Sequence, residues 1–475
     1  MFTLIVFTLL WTFFKSLHLI YLFQIKEYRF DRFFSFFREV GYGKVLYESG
    51  YRLPAITIRN ILLVVINMVT VMLLLLLSLE LPEIYYGLTA GLPFAPFIAL
   101  LITMIGVTLT TPLAWITREI KIQQAKTLIH DTDITFIGIT GSYGKTSVKE
   151  YLYHILNADL KVAKTPKNMN SDIGVAQALL TQIKPETTHF VVEVGAYRSG
   201  EIMKAAHYIP LKYAVLTGLG NQHLDLYGSR EVLITEESSL LYQLPESGTA
   251  YINYEVPNRV ELEKSLKCNV VTYGLDKKAD IWLQIKHSDA EGQTAEIKLH
   301  DESLTIKTSL LGAHTLLNLL PAIAIARELK LSIKTITHAV STLSSIPGKL
   351  KLLKGAKKST VLDDSANTNL NGFLAAIDTI KQFPQPHKVI ISQGIIELGV
   401  EKRQSYAEII AHLEKYNIEL HTTDKLFGEL TQSKRVVIYN DVKQLVNAVM
   451  FSLDKKSIVL VEGKFPPNVL QTLAI

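Results

Sequence analysis

Three apolar stretches fall within the first 128 of 475 residues. Each is close to the roughly 20 residues that a helix rising about 1.5 Å per residue needs to cross the hydrocarbon core of a bilayer. They make the chain a hybrid. A mean hydropathy of +0.22 with 48% hydrophobic residues is too apolar for a plain soluble enzyme of this size, whereas 20% charged residues is too many for an all-membrane transporter. The second stretch, 61–79, carries no charge, and the third, about 92–116, is uncharged and holds Pro93, Pro96 and Pro112. The first, 2 to about 24, contains Lys15 and His18, which read as groups that snorkel or face a partner helix. Its start, MFTLIVF, lacks the basic leader and small-residue cleavage site of a signal peptide.

The positive charges orient these spans. Lys26, Arg29, Arg32, Arg38, Lys44, Arg52 and Arg59 lie between the first and second, none lies in 81–91, and Arg118, Lys121 and Lys126 follow the third. The positive-inside rule then puts the first loop and everything after the third span in the cytoplasm, with the N-terminus outside. The stretch RFDRFFSFFR, 29–38, is expected in the headgroup interface rather than on RNA. The net charge of +5 is not a nucleic-acid signal: residues 1–128 hold eleven Lys/Arg against seven Asp/Glu, and the remainder holds 38 against 37. The single cysteine, Cys268, excludes an intramolecular disulfide and a Cys-based zinc site. Length suggests about three domains, and a short polar linker is expected over 121–131.

From residue 133 apolar strands alternate with amphipathic helices, the pattern of parallel sheets covered by helices. Residues 133–140 read as a buried strand. Gly141, Ser142, Tyr143, Gly144, Lys145, Thr146 and Ser147 then turn into a helix beginning VKEYLYHIL. This is a phosphate-binding loop in its proper setting. Backbone N–H groups and the helix N-terminus meet an anion, Lys145 reaches β/γ oxygens, and Thr146 is placed to ligate Mg²⁺, so ATP is the expected nucleotide. The general pattern wants a glycine where Ile139 stands; here Gly138 and Gly141 bracket Ile139 and Thr140.

The variant G-x-T-G-S-x-G-K-T-S resembles the Mur ligase family, which makes amide bonds in peptidoglycan precursors, and five later segments resemble that family in the same order. TPKNMNSDIG, 165–174, is similar to its T-x-x-N-x-N-x-x-I-G. FVVEVGAYRSGEI, 190–202, puts Glu193 on the magnesium-binding glutamate. TGLGNQHLDLYGS, 217–229, puts His223 on the metal-binding histidine and Gly218 where the family has asparagine. LGAHTLLNLLPAIAIA, 311–326, puts Asn318 on the adenine-contacting asparagine, with Thr315 replacing an earlier one. LDDSANTN, 362–369, puts Asp364 on the ribose-contacting aspartate. IELG at 396–399 and VLVEGK at 459–464 carry the match nearly to the end, and the L-D-D-S form is most like the D-Ala-D-Ala-adding branch.

With the apolar spans read as a transmembrane module over 1–128, the resemblance implies an α/β chain whose remainder is an ATP-binding central domain over 129–345 and a Rossmann-like C-terminal domain over 346–475 that receives the amine. It implies an ATP- and Mg²⁺-dependent ligase that activates a carboxylate as acyl phosphate and joins it to an amino acid or dipeptide. Thr146 and Glu193 would hold one Mg²⁺ and His223 the other. Glu237 stands where the family has a CO₂-carbamylated lysine, either substituting as a metal ligand or, with Glu236, facing solvent. Lys349 replaces a phosphate-site arginine, keeping charge but losing the bidentate fork. Ala366 replaces a tyrosine, and Gly394 sits at an aspartate. The spans occupy the place of the family's UDP-gripping domain, so the precursor is UDP-linked or presented lipid-linked, at a bacterial cell membrane with the catalytic domains cytoplasmic. A membrane-associated poly-γ-glutamate synthase and a nucleotide-binding scaffold without catalysis are the alternatives.

Overall fold

The computed structural model describes residues 2–48, 50–167, 169–196, 199–220, 229–366, 369–395, 398 and 401–474, apart from the side chains of Glu39 and Arg230. The chain forms two compact units, Met1–Lys121 and Ile122–Ile475.

In the first unit, α1 (Phe2–Ile25), α2 (Phe30–Val40), α3 (Ile58–Glu80) and α4 (Pro82–Ala90) precede α5 (Ala95–His130). The helices over Phe2–Ile25, Ile58–Glu80 and Leu92–His130 are long and apolar enough to cross a membrane. Leu19 and Phe23 of α1, Leu63 of α3 and Val107 of α5 share a core with Phe33 and Phe37 of α2. Phe23 and Phe33 stack with ring centroids 3.7 Å apart. The aromatic residues of 29–38 thus grip the helix bundle, while Arg29 and Arg32 pair with Asp31 and Glu27. Lys15 and His18 face protein: the Lys15 ammonium donates to the Val45 carbonyl at 2.9 Å, and His18 Nδ1 accepts from the Arg52 N–H at 3.2 Å.

Residues 121–130, expected as a polar linker, are instead the last turns of α5. Ile122, Ala125 and Ile129 recur at helical spacing and bury one stripe against Phe136, Phe190 and Ala205 in the core of the second unit. The intervening polar residues made this segment look like a linker, although its helical period carries the packing information.

The second unit contains two sheets. The first joins β1 (Thr135–Thr140), β2 (Val162–Lys164), β3 (His189–Glu193), β4 (Leu211–Leu216), β5 (Thr249–Asn253), β6 (Asn269–Gly274), β7 (Ile281–Asp289), β8 (Gly292–Leu299) and β9 (Glu302–Thr308) in the order β2-β3-β1-β4-β5-β6-β7-β8-β9. It is parallel through β7 and closes with an antiparallel β7-β8-β9 meander. Strand β1 is buried on both faces, as a central parallel strand must be. Ile137 and Ile139 pack under α6 (Lys145–Leu156), whereas Phe136 packs with Phe190 and Ile129.

The second sheet joins β10 (Lys351–Lys354), β11 (Thr360–Asp364), β12 (His387–Ser392), β13 (Glu419–Thr422), β14 (Val436–Ile438) and β15 (Ser457–Glu462) in the order β10-β11-β15-β12-β13-β14, parallel except for the β10-β11 pair. Period-2 alternation sends Leu362, Ile390 and Leu460 to one face and Val361, Val389 and Val459 to the other. This is the doubly wound arrangement expected of the C-terminal part. Ile129→Ala should lower the stability of the second unit by about 2–5 kcal/mol, read in a denaturant titration of the solubilised chain; an unchanged midpoint would mean that the end of α5 does not belong to this core.

Candidate active site

The chain leaves β1 toward β2 and β3 on one side and reaches β4 on the other, so the carboxyl end of β1 is a topological switch point, where open α/β sheets bind ligands. The phosphate loop stands there. Gly144 caps α6 at φ 90°, and the helix starts at Lys145 with its free N–H groups aimed into the turn. The end of β4 fastens the loop: the Thr217 hydroxyl donates to the Tyr143 carbonyl at 2.6 Å, and the Ser142 N–H donates to the Gly218 carbonyl at 2.9 Å. The Lys145 ammonium folds back onto the Gly141 carbonyl. The Ser142 hydroxyl is buried with no hydrogen-bond partner among the described residues, as suits a group that a phosphate would satisfy. Ser147 turns away to pair with Tyr151 one turn along. Asn318, on the long helix α10 (Ala313–Glu328), places Oδ1 2.6 Å from where a Cβ on Gly144 would stand.

Pairing of β3 beside β1 sets Ile139 opposite Glu193, which brings that carboxylate next to the loop. The Thr146 hydroxyl donates to Glu193 Oε1 at 3.2 Å and the Asn170 amide to the same oxygen at 3.3 Å. Lys149 Nζ lies 3.0 Å from Oε2. Asn170 comes from the segment before α7 (Asp172–Gln182). Hydroxyl and carboxylate oxygens fit Mg²⁺, for which nucleotide phosphates supply further oxygens. Among the described residues no three His, Cys, Asp or Glu side chains converge. His223 lies outside the described residues.

Glu236 and Glu237, on α9 (Arg230–Ser238), are 3% and 2% exposed, so neither faces solvent. Glu237 Oε2 accepts from the Thr140 hydroxyl at 2.7 Å and the Gly141 N–H at 2.8 Å, tying it to the first residues of the phosphate loop. Glu236 accepts from the N–H groups of Gly200 and Ile202 and so caps α8 (Glu201–Ala206).

A second cluster gathers at the carboxyl ends of β11 and β15. Asp363 accepts from the Gly348 N–H at 3.0 Å and Asp364 from the Leu350 N–H at 3.2 Å, so the two aspartates hold the turn that carries Lys349. Asp364 is paired in register with Glu462. Burial, and then the Asp364 carboxyl beside it, hold the Glu462 carboxyl well above the usual range. Burial and the Lys349 ammonium push His314 down to about 4, leaving it neutral near pH 7.

Two departures from the family pattern have spatial explanations. A Cβ on Gly218 would fall 2.0 Å from the Tyr143 ring, so Tyr143 fills the space beside that position. Burial raises the Tyr143 phenol, which hydrogen-bonds Asn371 at the start of α11 (Leu370–Ile380) and so links the phosphate loop to the second sheet's layer. Beside Gly394 stand the Tyr406 hydroxyl and the Asp424 carboxylate, themselves 2.8 Å apart. Lys149, Asn170 and Tyr143 had no assigned role in the sequence reading. Lys149 could have been found from its three-residue spacing after Thr146, which puts both on one helix face; Tyr143 could not, because its partners are distant in sequence.

Two family models match the chain, the Mur ligase middle domain over residues 139–326 and the Mur ligase glutamate ligase domain over 349–465. Among curated proteins it is similar to the UDP-N-acetylmuramoyl-tripeptide--D-alanyl-D-alanine ligase of Escherichia coli (strain K12), 26% identical over 62% of this chain and 68% of that protein. The enzyme of the same name from Bacillus subtilis (strain 168) is 26% identical over 71% of this chain and 75% of its own length. Among solved structures, MurF ligase from Thermotoga maritima in complex with ADP superposes with a TM-score of 0.67 at 23% identity, covering 75% of this chain and 82% of that one. Folylpolyglutamate synthase from Mycobacterium tuberculosis, complexed with ADP and AMPPCP, gives 0.58 at 17% identity, covering 72% and 92%. At these identities the two structures speak to the fold.

The Tyr143 and Gly218 packing predicts a compensating pair. Gly218→Asn alone should weaken ADP binding by about tenfold or more, since overpacking of 1–3 kcal/mol must displace the loop. Adding Tyr143→Ala should restore most of it. Calorimetry on the full chain decides, and wild-type affinity in the single variant would refute the packing account.

Proposed function

The chain belongs to the Mur ligase family, and we propose that it works as an ATP-dependent amide ligase of peptidoglycan-precursor synthesis, most like the D-Ala-D-Ala-adding branch. The observation that carries this reading is the Thr146 hydroxyl 3.2 Å from the Glu193 carboxylate at the foot of a phosphate loop. An oxygen of the acceptor carboxylate attacks the γ-phosphorus of ATP and ADP leaves, giving an acyl phosphate. The amine nitrogen then attacks the acyl carbon, phosphate departs, and the nitrogen gives up its proton.

In this assignment the N–H groups of 141–147 cradle the phosphates, and Lys145 swings from the Gly141 carbonyl to the β/γ oxygens. Asn318, beside Gly144, contacts adenine; Asp364 contacts ribose; Lys349 faces the phosphates from the C-terminal domain. Thr146 and Glu193 would hold Mg²⁺, which supplies neutralisation of phosphate charge in the transition state. His223 and Glu237 would serve a second ion. Glu237 brings a permanent carboxylate that needs no CO₂, and its bonds to Thr140 and Gly141 place it against the loop. The buried polar network around Glu193 argues against a scaffold without catalysis. The two sequence relatives described above, both UDP-N-acetylmuramoyl-tripeptide--D-alanyl-D-alanine ligases, favour that branch over a poly-γ-glutamate synthase.

The acceptor we propose is a muramyl peptide presented at the membrane by a lipid carrier, with the three spans anchoring the ligase and its catalytic domains in the cytoplasm. Only the end of α5 separates the third span from β1. Two measurements test these assignments. Ligation, followed as ADP release with ATP, Mg²⁺, D-Ala-D-Ala and precursor, should be unaffected by stripping CO₂ and bicarbonate; a bicarbonate requirement would defeat the role given to Glu237. With lipid-linked acceptor in vesicles, the full chain should outrun a chain beginning at Ile122 on the order of 100-fold through effective concentration. Equal rates, or full activity of both on soluble UDP-linked tripeptide, would exclude membrane presentation.

A further inference from the structure

Lys149 is fully buried one turn beyond Thr146 on the phosphate-loop helix. A buried ammonium must have its charge compensated, and here carboxylates do so: Nζ donates to the Lys167 carbonyl at 2.8 Å and forms ion pairs 3.0 Å from Glu193 Oε2, which accepts no hydrogen bond among the described residues, and 3.7 Å from a Glu150 oxygen. The two oxygens of Glu193 therefore have different neighbours. Oε1 faces the Thr146 hydroxyl and the Asn170 amide, whereas Oε2 faces Lys149. A cation shared between Thr146 and Glu193 has access to Oε1, and the ammonium repels it from Oε2.

We infer that Lys149 is a positioning residue that restricts Glu193 to one-oxygen coordination and thereby makes the site select Mg²⁺ over Ca²⁺. Mg²⁺ demands near-ideal octahedral geometry at 2.0–2.1 Å, which single carboxylate oxygens satisfy, whereas Ca²⁺ accepts carboxylates through both oxygens and a larger, looser shell. Removing the ammonium frees Oε2 and opens the two-oxygen mode. The inference rests on Glu193 being a metal ligand, as proposed above, and goes beyond it by assigning the choice of metal to a residue that touches neither metal nor substrate.

The test compares the affinity of the full chain for a non-hydrolysable ATP analogue in saturating Mg²⁺ and in saturating Ca²⁺, by calorimetry. The wild type should prefer the Mg²⁺ complex, Lys149→Met should shrink that preference about tenfold, and Lys149→Arg, which keeps the charge, should retain most of it. An unchanged preference in Lys149→Met overturns the inference. Glu193→Gln separates the two ideas: if it leaves metal-dependent binding intact, Glu193 is not a ligand and the underlying reading falls with it. A measurement on the wild type avoids any dependence on the folding of the Lys149 variants. The infrared difference spectrum on adding Mg²⁺ to the analogue-bound chain, with the Glu193 band assigned by comparison with Glu193→Gln, should show the wide carboxylate splitting of one-oxygen coordination; a narrow, two-oxygen splitting overturns the inference.

Discussion

A carboxylate buried at the end of β3, an interior strand of the first sheet, organises the catalytic half of this protein. Glu193 is 2% exposed, and an ion so far from water persists only where fixed partners compensate it. Those partners come from two places, Thr146 and Lys149 from the phosphate-loop helix and Asn170 from the segment before α7, while the Thr165 hydroxyl just past β2 accepts the Glu193 backbone N–H and so fixes the strand end. None of them is adjacent to Glu193 in sequence. The β3-β1 register is what makes them neighbours, because a shift of one residue would send the carboxylate to the opposite face of the sheet.

The same logic explains how the chain accommodates its departures from the family pattern. The carboxylate of Glu237 is fastened to the base of the phosphate loop rather than exposed beside Glu236, which has the separate task of capping α8. Where a side chain is missing at Gly218, the Tyr143 ring supplies the volume and extends to Asn371. At Gly394 the neighbouring Tyr406 and Asp424 crowd the position. These exchanges preserve packing and charge near the site while altering which residues provide them, as expected where close-packed interiors tolerate redistribution better than voids.

The N-terminal unit follows different rules. Its helices bury aromatic residues of α2 among apolar side chains, and Lys15 and His18 of α1 are bonded to backbone of the 42–56 segment. Both side chains are almost fully buried, and a buried polar group without a partner is costly, so Lys15 and His18 require these partners. Continuity of α5 through Pro112 to His130 carries the chain from this unit into the packed stripe of Ile122, Ala125 and Ile129.

Local and periodic features were legible in the sequence. The three long apolar helices, the strand and loop of 135–147 and the alternation of strands with helices rest on composition, period or motif spacing, which short-range physics determines, whereas Glu193 and Asp364 are singled out by resemblance to a family. Helical period also contained the fate of 121–130, but interspersed polar residues hid its apolar stripe. What only tertiary structure decided is which groups meet. Burial of Glu236 and Glu237, the contact of Tyr143 with Gly218, the strapping of Lys349 by Asp363 and Asp364, and the placement of Lys149 on the far oxygen of Glu193 depend on strand order and helix packing. Sequence specifies side-chain chemistry one residue at a time; the distances that turn it into a site arise when non-local burial sets the register.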